Sequence, residues 1–170
     1  MDHFLKMSQI LVAAGSAELK TVVGSCIALC LWDRKTRIGG MAHIVLPERN
    51  GDKNANEGKY ADTAVSCLVS RMVERGADAR NFVAASVGGA SMFHQSRFLT
   101  SSVGTKNALS VRMQLEKLKI PIVTEDIGGF SGRKVTFRCS DGNLEVTVLN
   151  RRAMFSNPPP GNESGTQAAN

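Results

Sequence analysis

The chain has 170 residues, enough for a single domain whose apolar core needs no disulfide or metal to support it. Its 21 basic and 15 acidic residues give a net charge of +6, but the charges are scattered and the chain has only one Trp and one Tyr. Because nucleic-acid surfaces pair clustered cations with stacking aromatic rings, this composition argues against a nucleic-acid partner.

No apolar run approaches the ~20 residues that a membrane-spanning helix requires, so we expect no membrane insertion. The four cysteines lie in apolar runs without the spacing of a secreted disulfide scaffold, and the first residues lack the regions of a signal peptide. We therefore expect free thiols in a reducing cytoplasm.

Hydrophobic periodicity predicts strands interrupted by two helices. We expect strands at 10–14, within 19–31, and at 38–46, 82–87, 122–124, 135–139 and 144–149, with helices from Tyr60 to about Gly76 and from Ala108 to Leu118. The last two strands flank Asp141-Gly142, a hairpin signal because this pair tolerates positive φ angles. The order predicts an α+β fold, with an antiparallel or mixed sheet and helices covering one face.

Two segments lack a hydrophobic period. The loop at 47–54 is long enough to form a lid over a site or to be a solvated connector only, and both interpretations stay open. The run Pro158-Pro159-Pro160 and the polar residues around it cannot bury enough surface to become ordered. We therefore expect one domain over residues 1–155 and a disordered tail over 156–170.

Cys26 and His43 lie on two neighbouring apolar runs that predict paired strands, joined by a charged loop at 33–37. A cysteine nucleophile needs a base within hydrogen-bond reach, because the thiolate is the attacking species. Gly24-Ser25 before the cysteine predicts a tight bend whose N–H groups can face a developing oxyanion. This hairpin therefore indicates a thiol–imidazole site.

Two other interpretations fit the same residues. A buried cysteine is often a small hydrophobic side chain, and a histidine on a strand is often part of the core. A thiolate metal or redox site at Cys26, Cys30 and His43 is the other, although a Cys-x3-Cys spacing is not a recognised zinc motif.

Four short motifs follow one another along the chain: Gly24-Ser25-Cys26, then Gly40-Met41-Ala42-His43 with Leu46-Pro47, then Lys59-Tyr60-Ala61-Asp62, and then Gly88-Gly89-Ala90-Ser91-Met92-Phe93. With these motifs, from about Val22 to about Val148, the sequence resembles the CheD family of chemoreceptor glutamine deamidases. This resemblance implies a three-layer α/β/β sandwich with a mixed, largely antiparallel sheet. The glycine-rich motif at 88–93 is expected either to face a substrate or to pack as a tight turn.

The resemblance also implies the chemistry. Specific glutamines on the cytoplasmic helices of methyl-accepting chemotaxis receptors would be hydrolysed to glutamate with release of ammonia, with Cys26 as nucleophile and His43 as base. No metal or organic cofactor is implied. A docking role toward a CheC-type response-regulator phosphatase, with little or no catalysis, is the alternative that the family leaves open.

A third group is expected to orient the imidazole. In the family it is a threonine upstream of the cysteine on the same strand, and Thr21 is the only threonine close enough here. Some members place this threonine six residues before the cysteine, whereas Thr21 lies five before Cys26 and Lys20 occupies the sixth position. Because an odd separation on a regular strand turns side chains to opposite faces, Thr21 serves only if a bulge or the Gly24 bend corrects the register.

Overall fold

The computed structural model of the protein describes residues 1–91 and 102–149. Met92, Phe93, the domain boundary expected at 155 and the disordered tail expected over 156–170 therefore lie outside the described residues. The strands are β1 (Asp2–Phe4), β2 (Ile10–Ala14), β3 (Glu18–Val23), β4 (Ile27–Asp33), β5 (Ile38–Ile44), β6 (Phe82–Gly88), β7 (Ile122–Ile127), β8 (Arg133–Arg138) and β9 (Leu144–Val148). The helices are α1 (Ala61–Glu74), α2 (Val103–Lys117) and a short 3-10 turn at Ala79–Asn81.

Two sheets and a layer of helices make up the sandwich. Five strands form the central sheet in the order β2-β5-β4-β6-β7, and four form the outer sheet in the order β1-β3-β8-β9. Each sheet is antiparallel except for one parallel pair, β6 with β7 and β1 with β3. The expected α+β sandwich with a mixed, largely antiparallel sheet is therefore confirmed.

Strand β4 shows why the central sheet can be covered on both faces. Its side chains alternate with the period of a strand: Ile27, Leu29 and Leu31 join one core cluster with α1 and α2, whereas Ala28 and Cys30 join a second cluster with the outer sheet. A continuous apolar run is what a strand buried on both faces requires. The two clusters are the helix–sheet core and the inter-sheet core.

Two adjacent glycines of β5 allow the layers to approach. A Cβ on Gly39 would lie 2.7 Å from the Phe137 ring of the outer sheet, and a Cβ on Gly40 would lie 2.6 Å from Leu68 of α1. Because consecutive strand residues face opposite sides, each glycine serves one layer. These glycines thus let the outer sheet and α1 pack closely on β5, the strand that carries His43.

The predicted elements agree with the structure in most places. Helix α1 begins directly after Tyr60 and is followed by Gly76 at φ +95°, and the Asp141-Gly142 hairpin joins β8 to β9 with Gly142 at φ +71°. Helix α2 begins five residues earlier than predicted, because Ser102 caps it by accepting a hydrogen bond from the Thr105 N–H. Within the described ranges, neither helix is long and apolar enough to span a membrane.

The expectation that Thr21 shares a strand with the cysteine is wrong. Residues 19–31 form two strands in different sheets, β3 and β4, separated by a bend at Gly24-Ser25-Cys26. The chain therefore crosses from the outer sheet to the central sheet within three residues. This crossing removes the strand-parity objection to Thr21, because the two strands no longer share one pleat.

Candidate active site

Thr21 and His43 meet between the two sheets. Thr21 lies on β3 of the outer sheet and His43 on β5 of the central sheet, and both side chains are buried. Thr21 Oγ1 lies 2.8 Å from His43 Nδ1. The structure thus brings together two residues that are distant in the chain and that the sequence proposed as neighbours.

The hydrogen bonds of Thr21 determine the tautomer of His43. The Thr21 hydroxyl lies 2.9 Å from the backbone carbonyl oxygen of Leu5, which can only accept. A hydroxyl has one hydrogen, so Thr21 donates to Leu5 and accepts from the Nδ1–H of His43. The proton on Nδ1 leaves Nε2 with a free lone pair. His43 is therefore oriented and protonated as a general base requires.

Cys26 lies at the bend, two residues before Ala28, which pairs with His43 across β4 and β5. Its side chain is half-buried and packs against the inter-sheet core, the core that also contains Met41, two residues before His43. Cys26 and His43 thus belong to the same face of the central sheet. No hydrogen bond joins the Cys26 thiol to the His43 ring in the part of the chain that the structure describes.

The two pKa shifts keep this pair neutral at rest. Burial raises the pKa of the Cys26 thiol from its ordinary value, with the Cys26 backbone N–H acting in the opposite direction. Burial also lowers the pKa of His43. A desolvated site disfavours both charged forms, so the resting state is a thiol beside a neutral imidazole. Proton transfer must then accompany the attack of sulfur on a substrate.

Backbone hydrogen bonds hold the bend that carries the cysteine. The N–H of Ala90 donates to Gly24 O and the N–H of Gly89 donates to Cys26 O, each at 2.9 Å. A Cβ at Gly88, where φ is +126°, would collide with the Cys26 carbonyl oxygen. Gly88 to Ala90 therefore pack on the bend, which favours the tight-turn interpretation for the described part of this motif.

Sequence reasoning missed three residues that support the site. The backbone carbonyl of Leu5 accepts a hydrogen bond from the Thr21 hydroxyl and so orients it. The sequence cannot identify this carbonyl, because every residue has one. The buried Arg133 donates to Gly128 O and forms an ion pair with Asp126 at 2.8 Å. Gly128 in turn donates to Gly88 O. For Arg133 the available signal was its place on the same face of β8 as Val135 and Phe137.

Asn107 is the third missed residue. It lies on α2 and is fully buried, and its amide Nδ2 donates to Ser25 O and to Val45 O, each at 2.9 Å. These carbonyls precede Cys26 by one residue and follow His43 by two. An asparagine among the buried positions of an amphipathic helix is the signal that could have identified it.

The other candidate groups are arranged differently. Cys30 is buried between the sheets, and burial raises the pKa of its thiol. Within residues 1–91 and 102–149, no three His, Cys, Asp or Glu side chains are grouped so that they could hold a metal ion. Cys26, Cys30 and His43 thus do not form a ligand cluster.

The loop at 47–54 is tied to itself and to the start of α1. Arg49 donates to the carbonyls of Asp52 and Lys53, and the Tyr60 hydroxyl donates to the Asp52 carboxylate. Such bonds favour the connector interpretation over a free lid.

Comparison with family models and comparison with known proteins identify the same family. Residues 45–148 match the family model described as CheD chemotactic sensory transduction. The match begins two residues after His43, so it does not depend on the three proposed site residues.

Three relatives are each named "Probable chemoreceptor glutamine deamidase CheD". The Methanococcus maripaludis (strain S2) protein is 39% identical over 142 residues, 84% of this chain and 92% of the relative. The Clostridium acetobutylicum protein is 38% identical over 129 residues, 75% of this chain and 78% of the relative. The Clostridium tetani protein is 38% identical over 151 residues, 87% of this chain and 92% of the relative. With a family model covering more than half of its length and relatives of this similarity, the chain belongs to the CheD family.

Proposed function

We propose that this protein is a cysteine-dependent deamidase that converts glutamine side chains of chemotaxis receptors to glutamate. The observation that carries the proposal is the 2.8 Å hydrogen bond between Thr21 Oγ1 and His43 Nδ1, because it leaves Nε2 as a base on the face that carries Cys26. The names of the relatives supply the substrate class.

In the first half of the reaction, the Cys26 thiol gives its proton to His43 Nε2 while sulfur bonds to the amide carbon of the glutamine side chain. Backbone N–H groups near Cys26 stabilise the oxyanion that forms. The C–N bond then breaks as the imidazolium returns the proton to the leaving nitrogen. Ammonia departs and a thioester remains on Cys26.

In the second half, a water molecule gives a proton to His43 Nε2 and its oxygen bonds to the thioester carbon. The C–S bond breaks, the sulfur recovers the proton, and the glutamate side chain is released. Thr21 accepts a hydrogen bond from Nδ1–H throughout, so the ring keeps its orientation while Nε2 takes and gives the proton. The net change is the consumption of one water and the production of one ammonia.

The substrates we propose are the cytoplasmic helices of methyl-accepting chemotaxis receptors, which would locate the protein in the cytoplasm. A docking role toward a CheC-type phosphatase is compatible with this activity. The presence of Cys26, His43 and Thr21 together favours catalysis over docking alone, since a docking surface does not need an oriented imidazole.

The test is to incubate the purified chain with receptor cytoplasmic fragments and to follow glutamine-to-glutamate conversion at each site by peptide mass spectrometry. Ammonia release is measured in parallel, and we expect one ammonia for each glutamate formed. Cys26→Ala is the matched negative control, and Cys30→Ala tests whether the nearby buried thiol is also required. Conversion that persists in Cys26→Ala would contradict the proposed nucleophile.

A further inference from the structure

The three carbonyl groups of the bend at Gly24-Ser25-Cys26 all accept hydrogen bonds. Gly24 O and Cys26 O are held by backbone N–H groups of Ala90 and Gly89, whereas Ser25 O is held by a side chain, the amide of Asn107. Ser25 O belongs to the peptide unit that joins Ser25 to Cys26. The orientation of this one peptide plane therefore depends on Asn107.

The opposite end of that peptide unit is the N–H of Cys26. No cis peptide bond occurs in the described ranges, and in a trans peptide the N–H points away from the preceding carbonyl. Among the described residues, neither the N–H of Ser25 nor the N–H of Cys26 donates a hydrogen bond to another residue. The Cys26 N–H also favours the thiolate of its own side chain, because it opposes the burial that raises the thiol pKa.

Asn107 is itself held in one orientation. Both hydrogens of its amide point at carbonyls, Ser25 O and Val45 O, so a flipped amide would set oxygen against two acceptors. Its Oδ1 is buried and has no hydrogen-bond partner among the described residues. One helical turn earlier, Gly104 packs so closely on Gly89 that a Cβ would meet the Gly89 backbone. The first turns of α2 thus form a rigid support behind the bend.

We propose that Asn107 is a positioning residue that holds the Ser25–Cys26 peptide so that the Cys26 N–H faces the oxyanion formed during attack by Cys26. This inference rests on the proposed function for the role of Cys26. The two hydrogen bonds of the Asn107 amide, to Ser25 O and to Val45 O, are here called the clamp. Because Val45 follows His43 by two residues, the clamp fixes the position of the bend relative to β5, the strand that carries His43. Loss of the clamp frees the peptide plane to rotate and removes a donor from the place where negative charge develops.

Two small probes separate this role from a general loss of structure. Acylation of Cys26 by p-nitrophenyl acetate passes through a tetrahedral oxyanion, whereas alkylation of the same thiol by iodoacetamide does not. The ratio of the two rates therefore reports oxyanion stabilisation independently of thiol reactivity. The measurement uses the full chain with Cys67→Ser, because Cys30 and Cys139 are buried and Cys67 is the other partly exposed thiol in the described ranges.

Asn107→Leu and Asn107→Asp are the test variants, since leucine has no donor and an aspartate carboxylate of the same shape cannot donate to Ser25 O. We expect acylation to fall at least about tenfold, a fraction of the 100- to 1,000-fold loss typical of deleting an oxyanion donor, while alkylation changes less than about twofold. Ser110→Ala is the matched control. Ser110 lies on the same helix and donates to Pro47 O at 2.8 Å, so its loss removes a comparable bond without touching the bend.

An equal fall in acylation and alkylation in both Asn107 variants would show that Asn107 only maintains structure, and unchanged rates in both would show that the clamp is not needed. Either result overturns the inference, as does a failure of both variants to fold when Ser110→Ala folds, because Asn107 would then be a determinant of folding. A wild-type chain that deamidates no receptor glutamine but shows the expected ratios would retain the positioning role and overturn the proposed function alone.

Discussion

The two faces of the central sheet are built by different rules. The helix–sheet core is an apolar cluster built mainly by β4, β5, β6 and the two helices, and α2 adds the buried amide of Asn107, which contacts the bend. The inter-sheet core contains Cys26, Cys30 and Cys139 among its aliphatic residues, and the Thr21–His43 pair lies between the same two sheets. Apart from Asn107, one face of the sheet thus carries apolar packing, whereas the other face carries the particular atoms of the candidate site.

This difference separates stability from chemistry. Substitutions in the helix–sheet core should change the free energy of unfolding and leave the chemistry of the folded protein intact. Substitutions at the site between the sheets should change the reaction rate more than the stability.

The largest effect is expected at Cys26. Cys26→Ser removes the sulfur of the proposed nucleophile while keeping the size of the side chain, so the deamidation rate should fall at least about 1,000-fold, a conservative figure for deletion of a catalytic nucleophile. The melting temperature should change little because this side chain is only partly buried. Rates are measured on receptor fragments, with circular dichroism for folding.

Cys30→Ala is the control for Cys26→Ser. It removes a buried thiol from the inter-sheet face of β4, two residues after Ala28, the residue that pairs with His43. We expect a loss of roughly 1 kcal/mol in the free energy of unfolding from the small cavity and substantial remaining activity. A folded Cys30→Ala variant as inactive as Cys26→Ser would instead point to a site that uses both thiols.

The second effect is on stability alone. Leu68 lies on α1, is fully buried in the helix–sheet core, and would be truncated by Leu68→Ala. We expect the free energy of unfolding, measured by urea titration, to fall by about 2–5 kcal/mol. Below the unfolding transition, kcat should stay within about twofold of wild type, because Leu68 packs on the face of the central sheet opposite to the one that carries Cys26 and Met41.

Val73→Ala is the matched control for Leu68→Ala. Val73 lies on the same helix but its side chain is 46% exposed, so its truncation should cost less than about 0.5 kcal/mol. A large loss of kcat in folded Leu68→Ala would break the proposed separation of the two faces.

The same contrast explains what the sequence could predict. Helix α1 follows from its apolar period and Gly76, and the β8–β9 hairpin follows from Asp141-Gly142, because these signals are local. The two-sided burial of β4 follows from its unbroken apolar run. Local sequence patterns thus predict most of the helix–sheet core and the class of the fold.

The arrangement of the site is less accessible from sequence. Cys26 and His43 can be proposed from a hairpin, but the position of Thr21 depends on a crossing between two sheets that only three residues encode. Strand β1, whose three residues pair with β3, has no apolar alternation to mark it. Asn107 reaches Ser25 from 82 residues along the chain. These features are tertiary, so local propensity carries no information about them.

The third prediction concerns the orientation of His43. Thr21→Val keeps the β-branched shape on β3 but cannot accept the hydrogen bond from Nδ1–H. The ring then loses the partner that fixes its tautomer, and kcat should fall roughly tenfold to a hundredfold, the scale of a lost orienting hydrogen bond. KM should change little, because Thr21 is fully buried and out of reach of a receptor.

Lys20→Ala tests whether the effect is specific to the hydroxyl. Lys20 is the neighbouring residue on β3, and its ammonium pairs with Asp2 and Glu18 on the surface. Its loss should change kcat less than about twofold. A Thr21→Val variant with wild-type kcat would show that the Leu5–Thr21–His43 chain does not orient the base.

The smallest effect is on pH dependence. Burial lowers the pKa of His43 below its ordinary value of 6.5, so the ring stays neutral and able to accept the Cys26 proton at pH values where a solvated histidine is already protonated. The acidic limb of the kcat/KM profile should therefore lie below pH 6.5. Burial raises the pKa of the Cys26 thiol from its ordinary value of 9.0, so the neutral pair persists across the range between these limits.

The lowered pKa of His43 also makes the free energy of unfolding depend on pH. A histidine with a lowered pKa in the folded state binds fewer protons than in the unfolded chain, so its contribution is present above pH 6.5 and is lost as the pH falls through the folded-state pKa. His43→Gln should remove this part of the slope when urea unfolding is compared between pH 7.5 and pH 5. If the wild type and His43→Gln lose equal stability over that interval, burial does not lower the pKa of His43 in the folded protein, and the acidic limb of the kcat/KM profile should then lie near pH 6.5.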